Sequence, residues 1–430
     1  KFTWQFIMDP ETKAQTTAGW NQIDSVDTPD ALTAVVHLQE AFVPFVPTTL
    51  TFPVLPKHAL EGVKDPGNSE FARKPLGNGS FKFKEWVPGD HITVVASPTC
   101  PIQPKAESIV FKFVPDINTL LALIRTGDVD VANDFGEAQA SEVDKIDGVK
   151  LIAVPGVNIE RYYFNMRDPK DLSKPHPIFS DMNVRKAIAM ATDRFTAVDT
   201  VLQGFGKPAV TEVDNTPWSN TDLQPVPYDP EAAKKLLDEA GWKVGPSGIR
   251  EKDGVKLSFR HSTTAGNQTR ENLQLLFQKN LKDIGAEMVI ENYPAATLFG
   301  GCANNGVFGT GNFDVLGFAN KPTGIDLAAE WSDFFMSSAI KDCATNPAGT
   351  NAWGFADEGV DAEFAKVLSE LDPDKRLVAI KNVQKLIYDQ YQVLYVYDRS
   401  DFYAVSDRVT GVNPTVFGGH SYNFEQWAIK

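Results

Sequence analysis

The chain has 430 residues, beyond the roughly 250 to 300 at which a single hydrophobic core stops growing, so two or more substructures are expected. Its 41 Lys and Arg against 56 Asp and Glu give a net charge of −15, and no basic cluster offsets it locally, which argues against nucleic acid or an anionic membrane as partner. No run approaches the roughly 18 consecutive apolar residues of a membrane span.

In chain order, Phe2 to Ile7 mixes aromatic and β-branched residues and is broken by Asp9-Pro10. Ile23 to Val26 and Ala34 to Leu38 read as the strands of a hairpin around Thr28-Pro29-Asp30. Prolines between Phe42 and Pro56 exclude a regular helix. Gly77 and Gly79 permit a tight turn before the alternating strand Phe81 to Trp86; lacking a GKS or GxGxxG pattern, the pair gives little support to a phosphate loop. Strands at His91 to Val95 and Ile109 to Val114 follow. Asp116 then caps a helix through Ile124, stopped at Gly127, and Val129 starts another strand; this order predicts a parallel unit with a right-handed crossover.

Val149 to Val154 and Glu160 to Asn165 continue the β pattern. Alternation sends Tyr162 and Phe164 to one face and Tyr163 to the other, so if one face is core the other can face a cleft. Asp181 caps a helix with Val184, Ala187, Ile188 and Ala191 on its buried stripe. A second helix carries Phe195, Val198, Val201 and Leu202 inward until Gly204 and Gly206 stop it. After an extended connection through Trp218, Asp229-Pro230 opens a helix ending at Gly241. Leu257 to His261, a helix ending at Gly285, the strand Glu287 to Asn292 and the strand Phe313 to Phe318 make an α/β lobe. Asp372-Pro373 opens the last long helix, followed by the strand Val393 to Tyr397.

The six histidines form no metal-ligand spacing, and no nucleophile elbow or reactive-cysteine signature is present; no metal, cofactor or catalytic residue is expected. Cys302 and Cys343 both sit in Gly/Asn-rich loop sequence: in an oxidising compartment they can pair, and otherwise they stand as buried thiols, with Cys100 single. Trp331, Trp353 and Phe355 are assigned to the core in preference to a sugar-stacking role.

Several of these segments carry a resemblance. The run VRKAIAMATDR followed by GFGKPA (Val184 to Arg194, Gly204 to Ala209), FPVLPKHAL, GNGSFKFKEW and YDPEAAKKLLDEAGW are similar to segments of family 5 of the extracellular solute-binding proteins, which serve ABC importers of peptides, nickel and some oligosaccharides. The resemblance implies an α/β, two-lobe periplasmic-binding-protein-like fold (class II, cluster C) with an extra subdomain on the first lobe and a ligand cleft between lobes. It implies the division 1–74 (accessory subdomain), 75–180 (first-lobe core), 181–397 (second lobe) and 398–430 (return to the first lobe). It also implies that an N-terminal portion of several tens of residues precedes Lys1, and with it any export signal or lipid anchor. A Tyr just before Asn165 lies near the ligand in that family, which makes Tyr162, Tyr163 and Asn165 candidates, joined by Trp218 and Phe318. The loop after Phe318 holds an Asp in peptide-binding members; here Asn320 stands nearest, an amide that suits sugar hydroxyls and peptide groups equally. Asp326 is a further candidate, or a cap for the next helix. Arg399 can hold a carboxylate in a bidentate fork, or pair with Asp398 or Asp401.

The expected function is that of a non-enzymatic, monomeric binding component on the outer face of the cytoplasmic membrane. It captures a peptide or similar polar solute and delivers it to permease subunits. An oligosaccharide ligand is the alternative within the family, and a secreted hydrolase the alternative class.

Overall fold

Short-range capping chemistry decides where most helices begin. In the computed structural model, which describes all residues except 13, 15, 16, 18, 48, 134 and 320–325 and the side chain of 327, the chain divides into two units: Lys1–Val154 with Asp401–Lys430, and Pro155–Ser400.

In the first unit a helix α1 spans Phe2–Met8, so the aromatic and β-branched composition of this segment does not make a strand. Strands β1 (Ile23–Asp27) and β2 (Val35–Leu38) form the antiparallel hairpin. Strands β3 (Phe81–Val87), β4 (His91–Ala96) and β5 (Ser108–Lys112) form an antiparallel sheet of their own. Helix α2 (Ile117–Thr126) is capped by the Asp116 carboxylate on the Thr119 amide and closed by left-handed Gly127. Among the described residues the predicted parallel crossover does not form: β5 pairs antiparallel with β4, while β6 (Val131–Ala132) pairs antiparallel with residues 404–405. The closing segment Ser421–Gln426 is 3-10 helix, and Ala428–Ile429 is a short strand.

The second unit is built on β7 (Val149–Phe164), which enters it at Pro155. Helices α3 (Met182–Ala191), α4 (Arg194–Thr200) and α5 (Pro230–Glu239) follow, each opened by an Asp side chain accepting a backbone N–H: Asp181, Asp193 and Asp229. Because α4 ends at Thr200, Leu202 is buried beyond it, whereas Phe195 turns out and is exposed. Then come β8 (Ser258–Thr264), α6 (Gln268–Asp283), β9 (Glu287–Tyr293), β10 (Val315–Phe318), α7 (Leu327–Phe335), α8 (Glu358–Ser369), α9 (Pro373–Asp389) and β11 (Val393–Ser406).

In this unit the strand order is β9-β8-β10-β7-β11. β8 runs parallel to β9 and to β10, and β10 runs antiparallel to β7 with Phe318 opposite Arg161. Both faces of β7 are covered. Tyr162 and Phe164 join the cluster of Phe179, Val184, Ile188, Phe277 and Phe259, while Tyr163 packs on Trp353, Phe334 and Phe335.

At the amino end of β10, Asp314 ties three segments together. Its carboxylate accepts from the backbone N–H and Nε of Arg260 (2.8 and 3.1 Å) and from His176 Nε2 (3.3 Å). His176 Nδ1 already accepts the amides of Ile178 and Phe179, so Nε2 carries the proton. Burial works against an ionised Asp314, but these hydrogen bonds and the Arg260 charge hold its pKa down to about 2. A depressed carboxyl pKa stabilises the fold above the unfolded value and loses that contribution as pH falls through the folded value. Asp314→Asn is therefore expected to cost about 2 kcal/mol in urea unfolding at neutral pH. The difference from the unsubstituted protein should shrink as pH falls from about 4 toward 2.

Candidate functional site

In a sheet with parallel strands, ligands gather beyond the carboxyl ends, where successive loops open. Here that edge is formed by Thr264, Tyr293 and Phe318 at the ends of β8, β9 and β10. Since β7 is antiparallel to β10, it brings Glu160 and Arg161 to the same edge.

Consecutive residues on a strand point to opposite faces, so these two charges need separate partners. Glu160, 1% exposed, takes a two-pronged contact from Arg270 in the first turn of α6, with Nε at 2.8 Å and Nη2 at 3.0 Å. Arg270 Nη1 also donates to Thr264 Oγ1. On the other face Arg161 meets Glu212 at 2.8 Å and donates to the Tyr163 hydroxyl, which itself donates to Glu212 at 2.8 Å. Burial favours loss of the Arg161 proton, yet the Glu212 carboxylate outweighs it and holds the guanidinium above its ordinary range.

The candidate residues fall into distinct settings. Tyr163 is fully buried, its ring 3.6 Å from and parallel to that of Trp353. Tyr162 is buried against His261 with ring centroids 4.1 Å apart. Burial drives the His261 pKa down to about 3, with the Arg270 charge acting in the same sense, so this imidazole is neutral. Asn165 is fully buried and its amide donates to the carbonyls of Gly311 and Phe313. Asp326 is 1% exposed, caps α7 through the Ala329 amide and pairs with Arg376 at 2.6 Å. Phe318 is buried at the carboxyl edge between Tyr163 and Phe299. Trp218 is half-buried in its loop, where its carbonyl accepts from Gln384, and Arg399 is half-buried on β11. Asn320 lies outside the described residues. Cys302 and Cys343 form a disulfide with Cα atoms 5.6 Å apart, and Cys100 is free.

The structure thus brings Tyr163, Phe318 and the Arg161–Glu212 pair together, while Trp218, further along the connection that carries Glu212, has its carbonyl against Gln384. Glu160, Arg161, Glu212 and Arg270 are absent from the sequence candidates. Two adjacent opposite charges inside the apolar run VNIERYYF were the available signal, because a strand buried on both faces tolerates charge only with a partner. Among the described residues, no group of three or more His, Cys, Asp or Glu is placed to hold a metal ion, and no helix is long and apolar enough to cross a membrane.

A family model, bacterial extracellular solute-binding proteins, family 5 Middle, matches residues 1–325. The oligopeptide-binding protein AppA of Bacillus subtilis is 33% identical over 243 residues, 55% of this chain and 43% of that protein. Protein XP55 of Streptomyces lividans is 24% identical over 424 residues, 97% of this chain and 72% of that protein. Among solved structures, B. subtilis AppA in complex with a nonapeptide superposes with a TM-score of 0.80 at 25% identity, covering 100% of this chain and 82% of that one. NikZ of Campylobacter jejuni in complex with Ni(L-His) gives 0.82 at 21% identity, covering 100% and 83%. The chain belongs to family 5 of the bacterial extracellular solute-binding proteins, with the mixed α/β fold of the cluster C periplasmic binding proteins. It is a solute-binding protein, of the family that supplies the non-catalytic substrate-binding components of ABC importers.

Removing one member of a buried ion pair strands the other. Glu212→Leu is therefore expected to destabilise the protein by about 3–5 kcal/mol in urea unfolding. The double variant Arg161→Met with Glu212→Leu should recover much of that loss, and a double variant no more stable than the single would count against the pairing.

Proposed function

We propose that this chain captures a short peptide on the outer side of the cytoplasmic membrane and hands it to the permease subunits of its importer. The observation that carries the reading is the likeness to AppA of B. subtilis, which is named for oligopeptide binding and whose structure was solved with a nonapeptide. The ligand is assigned to the carboxyl edge of the β8-β9-β10 sheet, beside the strand ends Thr264, Tyr293 and Phe318. On this reading Tyr162, Tyr163, Asn165 and Asp326 act from behind, by fixing strands and loops. Trp218, Phe318 and Arg399 are assigned to the ligand itself, Arg399 to its carboxylate.

Native mass spectrometry of the purified protein, followed by titration with peptides of two to nine residues, tests this. Bound peptide should be retained intact, and saturation at about 100 times the dissociation constant should stabilise the protein by about 2.7 kcal/mol. No retained peptide and no stabilisation by any of them would overturn the peptide assignment. Within that assay Arg399→Ala should weaken binding about tenfold, the worth of a charge-assisted hydrogen bond, without unfolding the unliganded protein.

A further inference from the structure

The segment after β9 is heavily constrained and presents one ring outward. A single helical turn, Ala295–Leu298, buries Leu298, while Phe299 next to it is 42% exposed. The Phe299 ring stands edge-to-face on Phe318, centroids 5.5 Å apart and planes at 79°. One exposed aromatic is commonplace on a protein surface. This one sits at the carboxyl edge of parallel strands, next to a loop that is itself tightly constrained.

Behind Phe299 three glycines interlock. A Cβ on Gly306 would lie 2.0 Å from the Gly300 carbonyl oxygen, and one on Gly309 would lie 2.5 Å from the same atom. The Gly309 amide donates to that oxygen at 3.1 Å, closing the loop on itself. The Cys302–Cys343 disulfide then fastens the loop to a second segment that is fixed in its own right. There the Lys341 ammonium donates to the carbonyls of Pro347 and Gly349 at 2.6 and 3.0 Å, and the Lys341 amide to Asn351 at 3.0 Å.

Among the described residues, the buried charges near this edge are paired: Glu160 with Arg270, Arg161 with Glu212, and Asp326 with Arg376. The corner made by Phe299 and Phe318 therefore offers apolar surface. A rigid, apolar, partly exposed corner suits an uncharged side chain and gains affinity because no ordering is left to do on binding.

We propose that Phe299, backed by Phe318 and preorganised by the glycine interlock and the Cys302–Cys343 disulfide, is the platform for an apolar side chain of the bound peptide. The proposal rests on the peptide reading above. It makes Phe299 a specificity-determining residue and the disulfide the element that positions it.

The test is calorimetric titration with five-residue alanine peptides in which each position in turn is leucine or glycine. The unsubstituted protein is expected to prefer leucine over glycine at one position by about tenfold. Phe299→Ala should reduce that preference to about twofold while leaving the glycine peptide's affinity unchanged, and Phe299→Leu should retain it. The joint Cys302→Ser and Cys343→Ser variant keeps the ring but should also narrow the preference. Full preference in Phe299→Ala, on a protein that binds the peptides, overturns the platform and leaves the peptide reading standing. Full preference in the double Ser variant overturns the positioning role of the disulfide. Failure of the unsubstituted protein to bind any of the peptides overturns the peptide reading and the platform together.

Discussion

A charge taken out of water must be met by its opposite, and β7 places two such charges side by side. Glu160 and Arg161 are both nearly inaccessible, and the pleat sends them to opposite faces of the sheet. The first turn of α6 must therefore lie where Arg270 can reach one face, and the turn at 210–214 where Glu212 can reach the other. A one-residue slip of β7 would exchange the faces and strand all four side chains. The register of β7 against β10, with Phe318 opposite Arg161, is held by electrostatics as well as by the aromatic packing around Tyr163.

The same constraint appears in a second form, in arginines that use carbonyl oxygens as partners. Arg194 gathers the carbonyls of Ala209, Tyr395 and Val226, three separate segments, onto one guanidinium. Arg185 does the same for Phe179 and Gln390. Burial pulls both pKa values down to about 10, which still leaves the groups charged at neutral pH. These are the two arginines of the run VRKAIAMATDR. The chemistry of that run is architectural: a planar fork with five donors can close several chain ends that no strand ladder reaches.

Helix starts were the most legible part of the chain, because an Asp before a helix bonds an amide two or three residues on, whatever the tertiary setting. Asp116, Asp181, Asp229 and Asp372 all do so. The stripe Val184, Ala187, Ile188 and Ala191 is buried as its spacing requires. Strand partnering was less legible. The order strand, helix, strand around Asp116 is compatible with a parallel crossover, yet β5 pairs antiparallel with the strand just before it, β4, and β6 with residues 404–405 far away in sequence. Phe2–Met8 became helical although its residues favour strands, an instance of tertiary context overriding a weak local preference. Of the site, alternation correctly separated Tyr162 from Tyr163, but no local rule could show that both faces of β7 are covered or which distant residues meet Glu160 and Arg161.

The glycines of GFGKPA show why a signature can be specific and still say nothing about the ligand. Gly206 has φ of +93°, and a Cβ there would fall 2.5 Å from the Asp398 carbonyl oxygen. A Cβ on Gly156 would similarly lie 2.1 Å from the Arg399 carbonyl oxygen. The buried Asp398 carboxylate then accepts the Lys207 amide and the Asn215 side chain, both at 2.7 Å, and Asn215 in turn donates to the Gly156 carbonyl. Backbone lies directly against backbone, with one carboxylate closing the joint. Residues of this kind position the stretch of β11 that carries Arg399 through backbone contact. The frame is thus written in glycines, buried arginines and capping aspartates; on the proposed reading the choice of solute falls to side chains at the carboxyl edge of β8, β9 and β10, where a substitution can change chemistry without disturbing a buried charge.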